Sequence, residues 1–233
     1  MTAAEIHLWT ASVDRSPEDL ARLDPVLTHE ERARAARYRF QLHRDRFTAG
    51  RAIRRLILAR YLHQPPEAIA FAIGPQGKPS IEGEPPAGLR FNDSGSDGLA
   101  IFAVTWGRDV GADVERVRPN AEADRIVDRF GTPEECEAYW RLPTAERPLA
   151  FHRWWTAKEA WLKAVGTGLL APLGTCSVSF SATAPLRLLA VGGDRAMARR
   201  WTLETLNPAP GFVASLVVEG PVSGVRRRRW RGR

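Results

Sequence analysis

The stretch DVGADVE (109–115), followed by WWTAKEAWLKAVGTGL (154–169), decides how the chain is read. The first alternates with the period of a strand, so Asp113 and Glu115 fall on one face. The second is the heart of a long amphipathic helix over about 147–165, with Gly166 at the position of a C-cap. Mg²⁺ takes hard oxygen ligands, and an Asp-x-Glu strand plus the helical Glu159 supply them if the two elements pack. Taken singly the pieces are ordinary. Acids alternate on any half-exposed strand, and Glu159 and Lys163 stand four apart in the favourable order for a simple helix salt bridge. Trp154, Trp155 and Trp161 read as packing residues.

Outward from this pair, EIHLWTAS (5–12) reads as a strand. Thr28-His29-Glu30-Glu31 is a capping box opening a helix to about Phe40. Residues 43–62 form a longer helix whose Arg46, Arg51, Arg54 and Arg55 read as a solvated face. Pro65-Pro66 ends it, FAIG (71–74) begins a strand, and the Gly- and Pro-rich residues 74–90 read as loop. Short strands follow around 89–92 and 99–106, joined by the turn DSGSDG (93–98). Thr132-Pro133-Glu134-Glu135 is a second capping box, with Pro at the first helical position. Strands around 176–181, 185–190, 200–206 and 212–218 have short, antiparallel-looking connections. The order β, α, α, β, β, β thus occurs twice, with the join near Trp106 to Asp109. The expected fold is α+β: two similar halves, 1–107 and 108–220, packed together, and a basic, disordered tail at 221–233.

The composition, 44% hydrophobic and 26% charged over 233 residues, excludes wholesale disorder. No apolar run approaches a membrane span, and MTAAEIHLWTASVD lacks the pattern of a secretory signal. Cys136 and Cys176 have no metal-ligand spacing and read as reduced thiols, which points to the cytoplasm. The net charge is +7, but PVSGVRRRRWRGR (221–233) carries six arginines, leaving +1 for the rest. The charge belongs to the tail, and no stacking aromatics or binding module accompany it, so nucleic acid is not the expected partner. Only Lys78, Lys158 and Lys163 among the 34 basic residues are lysine. An ammonium approaches a single phosphate oxygen where a guanidinium needs room for its planar fork, so these lysines mark where to look for a site.

Together GKP (77–79), FNDSGS (91–96), VGADVE (110–115) and WWTAKEAWLKAVGTGL (154–169) resemble the ordered motifs of the phosphopantetheinyl transferases. The type is the two-domain, Sfp-type one that activates peptide synthetases. Its motifs are G-K-P, F-N-x-S-H-S, G-x-D-x-E and W-x-x-K-E-(A/S)-x-x-K-x-x-G-x-G. Asp113, Glu115, Trp155, Lys158, Glu159, Lys163, Gly166 and Gly168 fill the last two. The resemblance implies two pseudo-symmetric halves with the cofactor cleft between them. It implies Mg²⁺-dependent transfer of the 4'-phosphopantetheine arm of coenzyme A to a serine of an acyl or peptidyl carrier protein, with release of 3',5'-adenosine bisphosphate. Such transfer serves secondary metabolite biosynthesis, and a monomer is expected to perform it. By the same resemblance Asp113, Glu115 and Glu159 are the metal ligands. Glu159 and Lys163 are the catalytic pair, the first taking the serine proton and the second sitting on the pyrophosphate. Lys78, Ser94 and Lys158, with Arg46 and Arg34 further out, would bind the phosphates of coenzyme A. Two departures stand out: Gly95 replaces the motif histidine, and Glu31 lies where relatives often place a base. The alternatives are a regulatory coenzyme A-binding pseudo-enzyme, suggested by Gly95, and a nucleic-acid-associated protein using the tail.

Overall fold

In the computed structural model, residues 4–166 and 173–232 are described. The first half runs β1 (Ala4–Ser12), α1 (Pro17–Leu23), α2 (His29–Ala36), α3 (Gln41–Leu62), β2 (Phe71–Ile73), β3 (Pro79–Ile81), β4 (Leu89–Ser96) and β5 (Leu99–Trp106). The second runs β6 (Val110–Arg116), α4 (Ala123–Phe130), α5 (Pro133–Trp140), α6 (Arg147–Val165), β7 (Cys176–Val178), β8 (Leu188–Val191), α7 (Arg195–Ala198), β9 (Trp201–Leu206) and β10 (Phe212–Glu219). The halves repeat one plan. The sheet orders are β1-β5-β4 and β6-β10-β9, all antiparallel, so the first strand of each half pairs with its last. A long helix and then a small hairpin, β2–β3 or β7–β8, are inserted at the same point of each. The fold is α+β with two pseudo-symmetric halves.

Each long helix covers its own sheet. From α3, Ala49, Ile53 and Ile57 pack with Trp9, Phe91 and Phe102, while Trp154, Ala157 and Trp161 of α6 pack with Val217. A third cluster joins the sheets to each other, with Ile6, Leu8 and Ile101 against Val110, Ala112 and Leu216. Both capping boxes form, at Thr28 and Thr132, and Gly166 closes α6 in the left-handed conformation at φ 73°. Gly111 sets the approach of α6 to β6: a Cβ there would overlap the Ala160 carbonyl and the Ala164 amide. The helix therefore rests directly on the strand that carries Asp113.

The expectation of a disordered tail is overturned. Residues Val222–Arg229 form a further strand, β11, parallel to β1 from Glu5↔Gly224 to Thr10↔Arg229, giving a sheet ordered β11-β1-β5-β4. The backbone of β1 supplies the ladder, so this strand needs no apolar alternation of its own. Arg226 pairs with Glu5 at 2.8 Å, Arg228 lies over the Trp9 ring, and Trp230 is buried in the first core.

Three local expectations also change. The segment 74–90 is not all loop, because β3 pairs with β2 there. The polar run 93–98 is mostly strand: β4 continues to Ser96, and Asp97 and Gly98, at φ 41° and 82°, alone turn the chain. The arginine face of α3 is only partly solvated. Arg54 and Arg55 are 4% and 3% exposed. Arg55 donates to Glu31 at 2.7 Å and to the carbonyls of Pro66 and Ile69, and Arg54 pairs with Asp93 at 3.3 Å. Glu31 thus closes a capping box and neutralises a buried guanidinium, which accounts for an acid at that position.

Candidate active site at the seam between the sheets

The strands β4 and β6 are edges of different sheets and lie side by side, tied by side chains. Asn92, Ser94 and Ser96 share one face of β4 because strand side chains repeat every second residue. Asn92 Oδ1 accepts from the Ala112 N–H at 2.8 Å, and the Ser94 hydroxyl donates to Asp113 Oδ1 at 2.8 Å. The Ser96 hydroxyl donates to Glu115 Oε2 at 2.8 Å and accepts from the Arg116 N–H at 3.2 Å. From α6, Lys163 Nζ reaches over this seam to Asp113 Oδ1 (2.7 Å), Ser94 Oγ (3.1 Å) and the Ala112 carbonyl (3.3 Å). Lys163 therefore pairs with Asp113 rather than serving only its own helix. Asp113 is 4% exposed, and its Oδ2 is buried with no hydrogen-bond partner.

Burial pushes the Glu115 carboxyl above the usual range; the Ser96 hydrogen bond opposes the rise and the Asp113 charge adds to it. Burial likewise raises Glu159, helped by Asp113 and Glu115 and opposed by Lys163. Three carboxylates thus repel one another in a half-dry place. Among the described residues no three acid, His or Cys side chains already converge as a metal cage.

A cavity of about 480 Å³ opens beside them, lined by Arg51, Lys78, Asn92, Asp93, Glu159 and Lys163 among others. A neighbouring one of about 510 Å³ is lined by Tyr38, Arg46, Ser94, Gly95 and Ser96, and Arg51 and Asp93 border both, so a groove runs along β4. Lys78 donates to the Ala164 carbonyl at 3.1 Å, and burial lowers its pKa against the pull of Asp109. Arg46 is held by Asp14 at 2.6 Å. Arg34 lies in a third cavity of about 810 Å³ with Arg37, Arg51 and Arg54. Reading α3 as a solvated face missed Arg51. Burial lowers its pKa, with Arg54 and Arg34 adding, and among the described residues it has no ion pair. The signal was the spacing 51, 54, 55, which puts three arginines on one helical face.

Lys158, expected beside the phosphates, is elsewhere. It is fully buried, 2.8 Å from Glu135 Oε2, and donates to the carbonyls of Leu173 and Cys176. Neighbours on a helix diverge by about 100°. Glu159 and Lys163, four apart, face the cavity, while Lys158 faces α5 and β7. Gly168 lies outside the described residues. Gly95 has extended backbone paired with Ala100, and a Cβ there would come no closer than 3.4 Å to its surroundings.

The 4'-phosphopantetheinyl transferase superfamily matches residues 109–217. The chain is 38% identical over 217 residues to the 4'-phosphopantetheinyl transferase HetI of Nostoc sp., covering 93% of this chain and 88% of the relative. It is 31% identical over 185 residues to the 4'-phosphopantetheinyl transferase psf-1 of Bacillus pumilus, covering 78% and 77%. To the 4'-phosphopantetheinyl transferase Sfp of Bacillus subtilis it is 26% identical over 163 residues, covering 70% of each. The chain belongs to the 4'-phosphopantetheinyl transferase superfamily, with relatives of the Sfp type, and is a transferase. Among the described residues no helix is long and apolar enough to cross a membrane.

Proposed function

We propose that the protein transfers the 4'-phosphopantetheine arm of coenzyme A to a serine of an acyl or peptidyl carrier protein. The observation that carries the reading is the junction of Lys163, Asp113 and Ser94 at the seam, with Glu159 one turn away on α6 lining the same cavity. The carrier serine oxygen bonds to phosphorus as the bond to the bridging pyrophosphate oxygen breaks. The serine proton passes to the Glu159 carboxylate, which lines the cavity beside Lys163. Negative charge collects on the departing 3',5'-adenosine bisphosphate, and the Lys163 ammonium neutralises it. Lys78, Arg46, Arg51 and Arg34 line the groove where the remaining phosphates would lie.

The donor set fits Mg²⁺ in kind. It consists of hard carboxylate oxygens, with Asp113 Oδ2 buried and unpartnered and the charges of Glu115 and Glu159 disfavoured by burial. Asp113, Glu115 and Glu159 would hold the ion. When bound, it supplies positive charge to the pyrophosphate oxygens.

The free thiols of Cys136 and Cys176 support a reducing, cytoplasmic setting. Mass spectrometry of a carrier protein incubated with coenzyme A and Mg²⁺ tests the reading. The carrier should gain one phosphopantetheine group only when both are present. Coenzyme A binding with no gain would instead favour a regulatory pseudo-enzyme.

A further inference from the structure

The seam gives its two serines different work. Ser94 is shared between Asp113 and Lys163, whereas Ser96 serves the Glu115 carboxylate. No backbone ladder joins β4 to β6, so side chains set what lies opposite what along their length. Glu115 is one residue from the end of β6, beside the exposed Arg116, and its long side chain has three rotatable bonds to be held. The Ser96 oxygen receives the Arg116 N–H, which leaves the hydroxyl proton directed at Glu115 Oε2. Only one carboxylate oxygen is taken this way. Among the described residues Oε1 accepts no hydrogen bond, so it stays available on the side away from Ser96.

We propose that Ser96 is a positioning residue, fixing the Glu115 carboxylate so that its second oxygen is presented to a divalent cation. The inference rests on the proposed function, in which Glu115 is a metal ligand. Partners that orient a ligand without touching the metal typically change metal affinity by about 10–100-fold when removed.

The experiment titrates Mg²⁺ calorimetrically into the full chain saturated with coenzyme A, for wild type, Ser96→Ala and Ser96→Thr. Coenzyme A affinity without metal and thermal unfolding without metal are measured on the same samples. The expected result is Mg²⁺ affinity weakened about 10–100-fold in Ser96→Ala and restored in Ser96→Thr, which keeps the hydroxyl, with the other two measurements unchanged. Equal Mg²⁺ affinity in wild type and Ser96→Ala overturns the inference and leaves the proposed function standing. A matched loss of thermal stability and coenzyme A affinity in Ser96→Ala also overturns it, because Ser96 would then merely hold the halves together. Wild type that binds no Mg²⁺ removes Glu115 as a ligand, and the inference falls with it.

Discussion

Changing Lys158 to Met separates a phosphate contact from a buried staple. Lys158 and Glu135 are 0% and 1% exposed at the side chain and 2.8 Å apart. Glu135 also accepts from the Trp154 indole, the Val178 amide and the Thr132 amide, so α5, α6 and β7 meet on one carboxylate. Met fills the space of the lysine stem but leaves that carboxylate without its cation. Removing one partner of a buried pair costs about 3–5 kcal/mol. At about 2–4 °C per kcal/mol for a chain of this size, the melting temperature should fall by roughly 6–20 °C. The remaining donors to Glu135 favour the lower end. Adding Glu135→Gln should recover part of the loss, since a charge no longer sits unpaired. Thermal unfolding, read beside calorimetric titration with coenzyme A at a temperature where the variant is folded, decides the matter. Coenzyme A affinity should be nearly unchanged. An unshifted melting temperature with coenzyme A affinity lost tenfold or more would refute the staple and return Lys158 to the phosphates.

Glu159→Gln should lower transfer by about 10²–10⁴-fold, as loss of a general base does. Its melting temperature near neutral pH should not fall, because the native state disfavours the Glu159 charge; a clear drop would contradict that electrostatic reading. The wild-type rate should decline on the acid side as Glu159 takes up a proton, since protonation fills the site of the base. That limb should vanish from the residual rate of Glu159→Gln. Gly95→His should tighten coenzyme A binding several-fold by calorimetry, because the backbone is extended and a Cβ has room; the gain falls short of the roughly tenfold or more of a full charged donor contact, about 1.5–3 kcal/mol, because Arg46 and Arg51 already line that cavity. Equal or weaker binding would mean the groove has no phosphate there. Ending the chain after Gly220 strips β11 and the buried Trp230, so the melting temperature should fall by roughly 10 °C or more, and added salt should not restore it.

What was legible in the sequence was local. The capping boxes at Thr28 and Thr132, the C-cap at Gly166 and the placement of Asp113, Glu115 and Glu159 each depend on neighbours within a turn or a strand repeat. What escaped was set by distant partners. Ser94 and Ser96 look like turn chemistry until β6 is placed beside β4. Arg55 reads as solvated until Glu31 and the Ile69 carbonyl surround it, and Lys158 reads as a ligand-binding cation until Glu135 claims it. The arginines of β11 carry no strand signal, because their ladder is lent by β1.

That borrowed ladder orders events in time. The Thr10 hydroxyl of β1 donates to the Arg228 carbonyl of β11, across 218 positions of sequence. On the ribosome β1, β5 and β4 can assemble as soon as the first half has emerged, but the free edge of β1 stays bare until the entire second half has been synthesised. An uncovered edge is a template for pairing with other chains, and contacts this remote in sequence form slowly. Nascent or truncated chains would spend that interval with a sticky sheet border, and the arginine strand is the clasp that ends the period of aggregation risk.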